Sequence, residues 1–169
     1  MIVQLFIDEQ YLKDKTPIGG LVEWSTLEST VATSQDVYIQ DILGTNFYNH
    51  LLGVYIAGTQ NANETTLLSK IRVALAFRTA EQVAPFINFD ITNKGIMTES
   101  GDYAQSTDLD GVRYIRTELK NRAEFYETRI TAYLRENNTL FPQYITDNST
   151  DMSPSTDANY NFGGLEFWF

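Results

Sequence analysis

The sequence of 169 residues contains no cysteine and a single histidine, His50. Without cysteine there is no disulfide framework and no Cys-His dyad, and one histidine cannot supply the ligand set that zinc requires. No apolar run approaches the roughly 18 residues needed to cross a bilayer. Residues 1–4 also lack the charged and apolar regions of a secretory signal. We therefore expect a soluble protein, made in a reducing cytoplasm, with no membrane partner.

Basic residues are scarce as well. Lysine and arginine total 12 against 22 acidic residues, which gives a formal net charge of -10. A field of this sign repels phosphate backbones, so tight nucleic-acid binding is excluded as a function class.

Motifs for catalysis or cofactor binding are also lacking. A Ser-His-Asp triad would have to use His50, which lies in an amphipathic segment and is better explained as a partly exposed helix residue. Asp90-Ile-Thr-Asn-Lys-Gly95 imitates the start of a calcium loop, but Gly101 stands where a bidentate glutamate is needed. Gly19-Gly20 and Gly163-Gly164 lack the lysine of a phosphate-binding loop. The sequence predicts no catalytic residue, no metal site and no cofactor.

Helical periodicity is what the sequence does contain, most clearly between residues 107 and 144. Apolar residues there recur three and four apart, which forms one continuous stripe on an α-helix. Thr107 and Asp110 suit a capping box at the start, and Asn137-Asn138 suits a left-handed residue at the end. The stripe consists of Val112, Ile115, Leu119, Ala123, Tyr126, Ile130 and Tyr133. The predicted i,i+4 ion pairs of the polar side are Glu118 with Arg122 and Lys120 with Glu124.

Further helices are predicted upstream. Residues 4–15 read as a short strand turning into a short helix with Asp8 as its N-cap. A helix over about 23–43 begins at a Ser25/Glu28 capping box and stops at Gly44. Its stripe is Trp24, Leu27, Val31, Tyr38 and Ile42, with polar Ser34 and Gln35 in the middle.

A shorter helix is predicted from Phe47 to near Gly58, and Asn63 is a candidate cap for the helix that follows. Residues 67–84 are apolar nearly all round the helix, which is typical of the buried member of a bundle, and Pro85 should end or kink it. Residues 86–101 alternate weakly around a hairpin-like Asn-Lys-Gly turn. We therefore expect a mainly α protein, a bundle of about four to five helices with a short β-hairpin near 86–101.

The composition changes after Tyr144. Residues 146–161 are almost wholly polar and should not bury enough surface to become ordered. Aromatic residues then dominate the segment 160–169, so we predict a helical domain over 1–144 and a polar linker with an aromatic arm over 145–169. The predicted partner-binding residues of this arm are Tyr160, Phe162, Leu165, Phe167, Trp168 and Phe169.

Several stretches together resemble a known family. They are residues 11–18, 35–51, 93–95, 123–137 and 141–144, and the most specific is the block Ile42-Leu-Gly-Thr-Asn-Phe-Tyr-Asn49. These stretches resemble small helical proteins of tailed bacteriophages of Bacteroidetes, including crAss-like phages, which are similar in design to head-to-tail adaptor (connector) proteins.

The resemblance implies a structural virion protein without enzymatic activity. It implies a helical bundle that assembles with copies of itself into a closed ring, expected to be a dodecamer, beneath the portal protein at the neck of the virion. Such a neck ring extends the channel through which DNA passes during ejection, without specific binding, and offers an attachment surface to downstream tail proteins. In related adaptors a C-terminal extension clasps the portal, which fits the aromatic arm.

Two other function classes remain open from the residues. One is a soluble scaffold or regulatory module whose aromatic tail is a ligand for a host protein. The other is a hydrolase that uses paired carboxylates, which no spacing in the sequence favours. Recovery from purified virions would count against the first, and a bundle without a cleft holding two carboxyl groups of raised pKa would count against the second.

Overall fold

The computed structural model describes residues 4–19, 22–87, 89–92, 95–98, 109–145 and 151–154. Within them the chain is mainly α-helical, as predicted. The helices are α1 (Glu9–Lys15), α2 (Trp24–Ser34), a π-helical segment (Gln35–Ile39), α3 (Gln40–Leu43), α4 (Thr45–Ala57), α5 (Ala62–Ile87), α6 (Leu109–Glu136) and α7 (Pro142–Ile145). A 3₁₀ turn (Asn138–Leu140) joins the last two.

The predicted hairpin is confirmed as two antiparallel strands, β1 (Phe89–Thr92) and β2 (Gly95–Thr98). Phe89 pairs with Thr98 and Thr92 pairs with Gly95. The first strand begins at Phe89 and not near residue 86, because α5 runs through Pro85 and ends only at Ile87.

Helix α5 lies at the centre of the bundle, as its all-round apolar surface predicts. It contacts α1, α2, the π segment, α6 and β1, and residues 74–80 are all buried. The most regular stripe of the sequence belongs to α6, yet α6 packs on the outside with α5 as its main neighbour. A clean amphipathic stripe is typical of a surface helix, whereas the central helix has no polar face.

The stripe of α6 is mostly confirmed. Val112, Leu119, Ala123 and Ile130 are buried, whereas Ile115 is 45% exposed, so its predicted burial is wrong. Leu134, which the prediction did not include, is fully buried instead. It lies four residues after Ile130, on the same side of the helix.

The predicted helix over 23–43 exists as one helical path that changes pitch at Gln35. The backbone N–H of Gln40 bonds to the carbonyl of Gln35, a spacing of five residues that defines the π segment. Gln35 is buried there: its side chain accepts from the N–H of Phe6 (2.8 Å) and donates to the carbonyl of Gln4 (3.1 Å) and to the hydroxyl of Tyr48 (2.7 Å). Residues 4–7, predicted as a strand, do not form one. Instead, Gln4 and Phe6 hydrogen-bond through their backbone to the side-chain amide of Gln35.

Three predicted helix ends are confirmed. Asp8 caps α1 through a 2.8 Å bond from the N–H of Tyr11. Gly44 and Gly58 end their helices with φ values of 75° and 65°, a region that glycine enters at least cost.

Two other predicted caps are wrong. Helix α2 begins at Trp24, so Ser25 lies inside its first turn and contacts Glu23 instead of forming a box with Glu28. Asn61, not Asn63, caps α5: its side-chain oxygen accepts from the N–H groups of Asn63 and Glu64.

The end of α6 differs too. Asn137 has a φ of -118°, not a left-handed conformation, and the chain continues into the 3₁₀ turn. Phe141, buried against Phe47 and Tyr133, explains this path because its packing fixes the direction of the chain. The predicted Thr107 cap lies outside the described residues.

Candidate docking surfaces

The strap, residues 151–154, binds the N-terminus of α4. The N–H of Thr45 donates to the carbonyl of Met152 at 2.8 Å. The Asp151 carboxylate accepts from the Thr45 hydroxyl at 2.8 Å and from the Gln40 amide at 3.4 Å, and Pro154 is buried. Because Gly44 offers no capping side chain, the strap supplies the missing acceptors from a distant part of the chain.

The strap corrects the prediction that residues 146–161 stay without order, which is wrong for 151–154. Composition measures only how much apolar surface a segment can bury. A carboxylate at a helix N-terminus gains hydrogen bonds and a favourable interaction with the helix dipole, and neither depends on hydrophobicity.

The outer flank of α6 carries exposed aromatic residues. Tyr114 is 68% exposed and Phe125 is 59% exposed. Phe125 meets Tyr126 edge to face, and Tyr126 stacks on Phe77 of α5 with centroids 5.6 Å apart. A groove of about 380 Å³ lies here. We call it the α6 groove, and its lining residues are Phe77, Glu118, Asn121, Arg122, Phe125 and Tyr126.

A second apolar surface lies between α2, the π segment and the end of α5. Val37 is 52% exposed and Phe86 is 57% exposed, and both line a groove of about 270 Å³, which we call the α2 groove. Its other lining residues are mostly polar: Ser29, Thr30, Thr33, Ser34, Tyr38 and Gln82. It shares no lining residue with the α6 groove. The described surface therefore offers two different apolar patches.

A buried ionic network joins α5 to α6. Arg78, whose side chain is 6% exposed, bonds Glu127 through two nitrogens at 2.8 and 2.6 Å and approaches Glu81 at 3.4 Å. Burial opposes the charge of Arg78, but Glu127 and Glu81 outweigh it and raise the pKa of the guanidinium above its ordinary value. Arg116 contacts the other oxygen of Glu81 at 2.9 Å.

This network lines a cleft of about 630 Å³ on the opposite side of α6 from the α6 groove. The two carboxylates in its lining are both paired with cations, Glu81 with Arg78 and Arg116, and Glu124 with Lys120 at 3.5 Å. The cleft is thus a set of ion pairs that fixes α6 against α5. The Lys120–Glu124 pair was predicted; the Glu118–Arg122 pair is not formed between these two described residues.

His50 lies between helices instead of facing a nucleophile. Its Nε2 atom is 2.8 Å from Glu64, and its Nδ1 atom is 3.4 Å from the amide of Gln143. Glu64 also accepts from the N–H of Asn61 at the start of α5. His50 is partly exposed on a helix, as predicted, and connects α4 to α5 and α7.

The predicted arm residues Tyr160, Phe162, Leu165, Phe167, Trp168 and Phe169 lie outside the described residues. In the described part no cluster of three or more histidine or acidic residues could hold a metal ion. None of the helices described is long and apolar enough to traverse a bilayer.

Sequence reasoning missed three functional candidates. Tyr114 and Phe125 are aromatic residues outside the stripe of α6, a signal that a helical wheel would have shown. Asp151 had no local signal, because its partners Gln40 and Thr45 are more than 100 residues away.

The fold and these surfaces define a mainly α-helical bundle with two apolar grooves and an anchored strap. The chain belongs to a family of unknown function, DUF6712, whose model matches residues 39–153. The match thus includes α3 to α7 and the strap residues 151–153. Among curated proteins and solved structures there is no match to the chain.

Proposed function

We propose that this protein is a structural, non-enzymatic head-to-tail adaptor of a tailed phage. Copies form a closed ring, taken to be a dodecamer, in the neck of the virion. The ring binds the portal protein above and tail proteins below, and DNA passes through it without specific binding. The protein is made in the cytoplasm of the host bacterium.

One observation carries the proposal: the described surface has two separate apolar patches, the α6 groove and the α2 groove. Head-to-tail copies in a ring contact each other through two different surfaces, so each subunit must present both. Half-exposed Phe125 on one patch and half-exposed Phe86 on the other are large side chains that a subunit interface would cover.

The position of residues 42–49, the most specific part of the resemblance to phage adaptors, supports the same proposal. Ile42–Asn49 forms the corner at Gly44 where α3 turns into α4. The strap binds at this corner through Thr45. A strap that is bound to the body is suitable for an arm that binds a portal or a neighbouring subunit.

The test is to locate the protein in assembled particles. We expect it in purified virions, and we expect electron microscopy of the neck to show a ring of its copies directly below the portal. A protein that is missing from intact virions, but is recovered with a host protein through its aromatic tail, would favour the scaffold or regulatory alternative.

A second test concerns the arm. Replacing Phe167, Trp168 and Phe169 with alanine should leave helical content unchanged and reduce binding of the assembled protein to the portal at least tenfold, whether the arm contacts the portal itself or joins neighbouring copies. The matched control replaces exposed aromatic Tyr114 with alanine. Unchanged portal affinity of the arm variant would show that the arm does not bind the portal.

A further inference from the structure

The α6 groove combines aromatic side chains with the guanidinium group of Arg122, and the guanidinium of Arg129 lies beside it, near the rings of Phe125 and Tyr126. Arg122 lies 5.9 Å from the ring centre of Phe77, and Arg129 lies 5.8 Å from that of Phe125 and 5.9 Å from that of Tyr126. Both arginines are exposed. A planar ring placed in this groove would meet aromatic faces and cations together, an environment that favours aromatic ligands.

Neither guanidinium has a carboxylate partner within ion-pair distance in the part of the chain that the structure describes. The other flank of α6 differs, since Arg113, Arg116 and Lys120 each pair with an acidic residue there. Glu118 also lines the α6 groove but does not pair with Arg122. Because the chain has a net charge of -10, Arg122 and Arg129 form one of the few unpaired basic sites among the described residues. An acidic segment that binds here gains electrostatic contacts with both guanidinium groups.

The chain itself contains a segment of this chemistry. After Arg135 there is no lysine, arginine or histidine, while residues 160–169 contain Tyr160, Phe162, Phe167, Trp168 and Phe169 together with Glu166. Tryptophan is the best aromatic partner for a guanidinium. Glu166 directly precedes Phe167 in the sequence, so this segment carries a carboxylate as well as aromatic rings.

We propose that residues 160–169 of one copy bind the α6 groove of a second copy. The proposal rests on the proposed function, because copies in a ring contact each other through two unlike surfaces, and the arm and the α6 groove would be one such pair. The strap fixes where the segment starts, since Pro154 is buried on the body. The eight residues from Pro154 to Phe162 span at most about 28 Å, roughly the diameter of a small domain, which is enough to reach a neighbour.

The test uses full-length variants in analytical ultracentrifugation over a range of concentrations. The groove variant is Arg122→Glu/Arg129→Glu, and the arm variant is Phe167→Ala/Trp168→Ala/Phe169→Ala. The control, Arg113→Glu/Arg135→Glu, makes the same charge change on exposed residues of α6 outside the groove. Circular dichroism confirms that each variant keeps its helical content.

We expect wild type and control to self-associate, and the groove and arm variants each to weaken association at least tenfold. An equimolar mixture of the groove and arm variants should form a one-to-one dimer and stop there. In that mixture one copy supplies the only intact arm and the other the only intact groove. Changing Glu166 to arginine in the groove variant should restore part of the association, because it reverses the charges of both partners.

Three outcomes would overturn the inference. The first is a wild-type chain that stays monomeric at every concentration. The second is a control that weakens association as much as the groove variant does. The third is a mixture that does not associate although wild type does, which would mean that wild type associates through surfaces other than the arm and the α6 groove.

The two proposals can fail separately. If the protein forms a ring in the virion neck but the groove variant assembles normally, the adaptor role stands and the arm binds elsewhere. If the arm and groove associate but the protein is missing from virions, the self-association is real and the adaptor role is wrong.

Discussion

Tyr48 shows how one buried residue couples stability to pH. Its hydroxyl accepts from Gln35 and donates to the Asp36 carboxylate at 3.1 Å. Burial is the largest cause that raises the pKa of Tyr48 to about 12; the Gln35 bond opposes the rise and the Asp36 charge adds to it. The native state therefore holds this proton at pH values where the unfolded chain, with a tyrosine pKa near 10, has lost it.

We predict that the free energy of unfolding falls between about pH 10 and pH 12. The native state binds more protons than the unfolded state in this interval, so the contribution of Tyr48 to stability is fully present below about pH 10 and is lost as pH rises towards 12. Urea unfolding at pH 8, 10 and 11.5 measures the effect. Tyr48→Phe should flatten the fall, whereas Tyr114→Phe, at an exposed position, should not; equal slopes in both variants would contradict the assignment.

Also at the residue scale, the aromatic side chains of α6 divide by position. Tyr126 and Tyr133 lie on the stripe and pack against the core, whereas Tyr114 and Phe125 lie off it and face outward. Side-chain type alone would place all four in the core. The helical period, which sets the direction of each side chain, separates them.

At the scale of elements, α5 and α6 are held together by the bidentate contact of Arg78 with Glu127 as well as by apolar packing. Replacing Arg78 with methionine would leave Glu127 and part of Glu81 buried without a partner. We predict a loss of about 3–5 kcal/mol in the free energy of unfolding.

The double variant Arg78→Met/Glu127→Met should be more stable than the single variant, because no unpaired charge remains at Glu127. Urea denaturation of both proteins gives the comparison. A double variant as unstable as the single one would mean that packing, not charge, dominates at this site.

The strap acts on α4 as an N-cap contributed from outside the helix. We predict that Asp151→Ala lowers the free energy of unfolding by up to about 1 kcal/mol, with a smaller loss for Asp151→Asn, which keeps an acceptor oxygen. A double-mutant cycle with Thr45→Val measures the contact itself. Additive losses would show that the 2.8 Å contact between Thr45 and Asp151 contributes no coupling.

At the scale of the whole molecule, net charge decides the relation to DNA. With a formal charge of -10, the protein should not be held by duplex DNA at physiological salt, which suits a conduit whose wall must not retain its cargo. We predict no change in the fluorescence anisotropy of a labelled duplex up to about 100 µM protein in 150 mM salt. Binding in the micromolar range would contradict a passive channel.

The mainly α fold, the central position of α5, the hairpin and the ends at Asp8, Gly44 and Gly58 were predictable from the sequence. Each depends on neighbours within a few residues: the helical period, a cap or a glycine with positive φ. The sequence by itself also determined the net charge and the lack of cysteine, which bear on function whatever the fold.

Only the tertiary structure decided the π segment at Gln35 and the contacts of the strap with Thr45. In the sequence, Gln35 is a polar interruption of an apolar stripe. Its role is seen only in the fold, where its side-chain amide hydrogen-bonds to Phe6, Gln4 and Tyr48. In the sequence, Asp151 is one residue of a polar linker. In the fold, its carboxylate accepts a hydrogen bond from the Thr45 hydroxyl. The physical reason is the same in each case: a hydrogen bond between residues far apart in the chain leaves no local period or motif, since its partners meet only after the helices have packed.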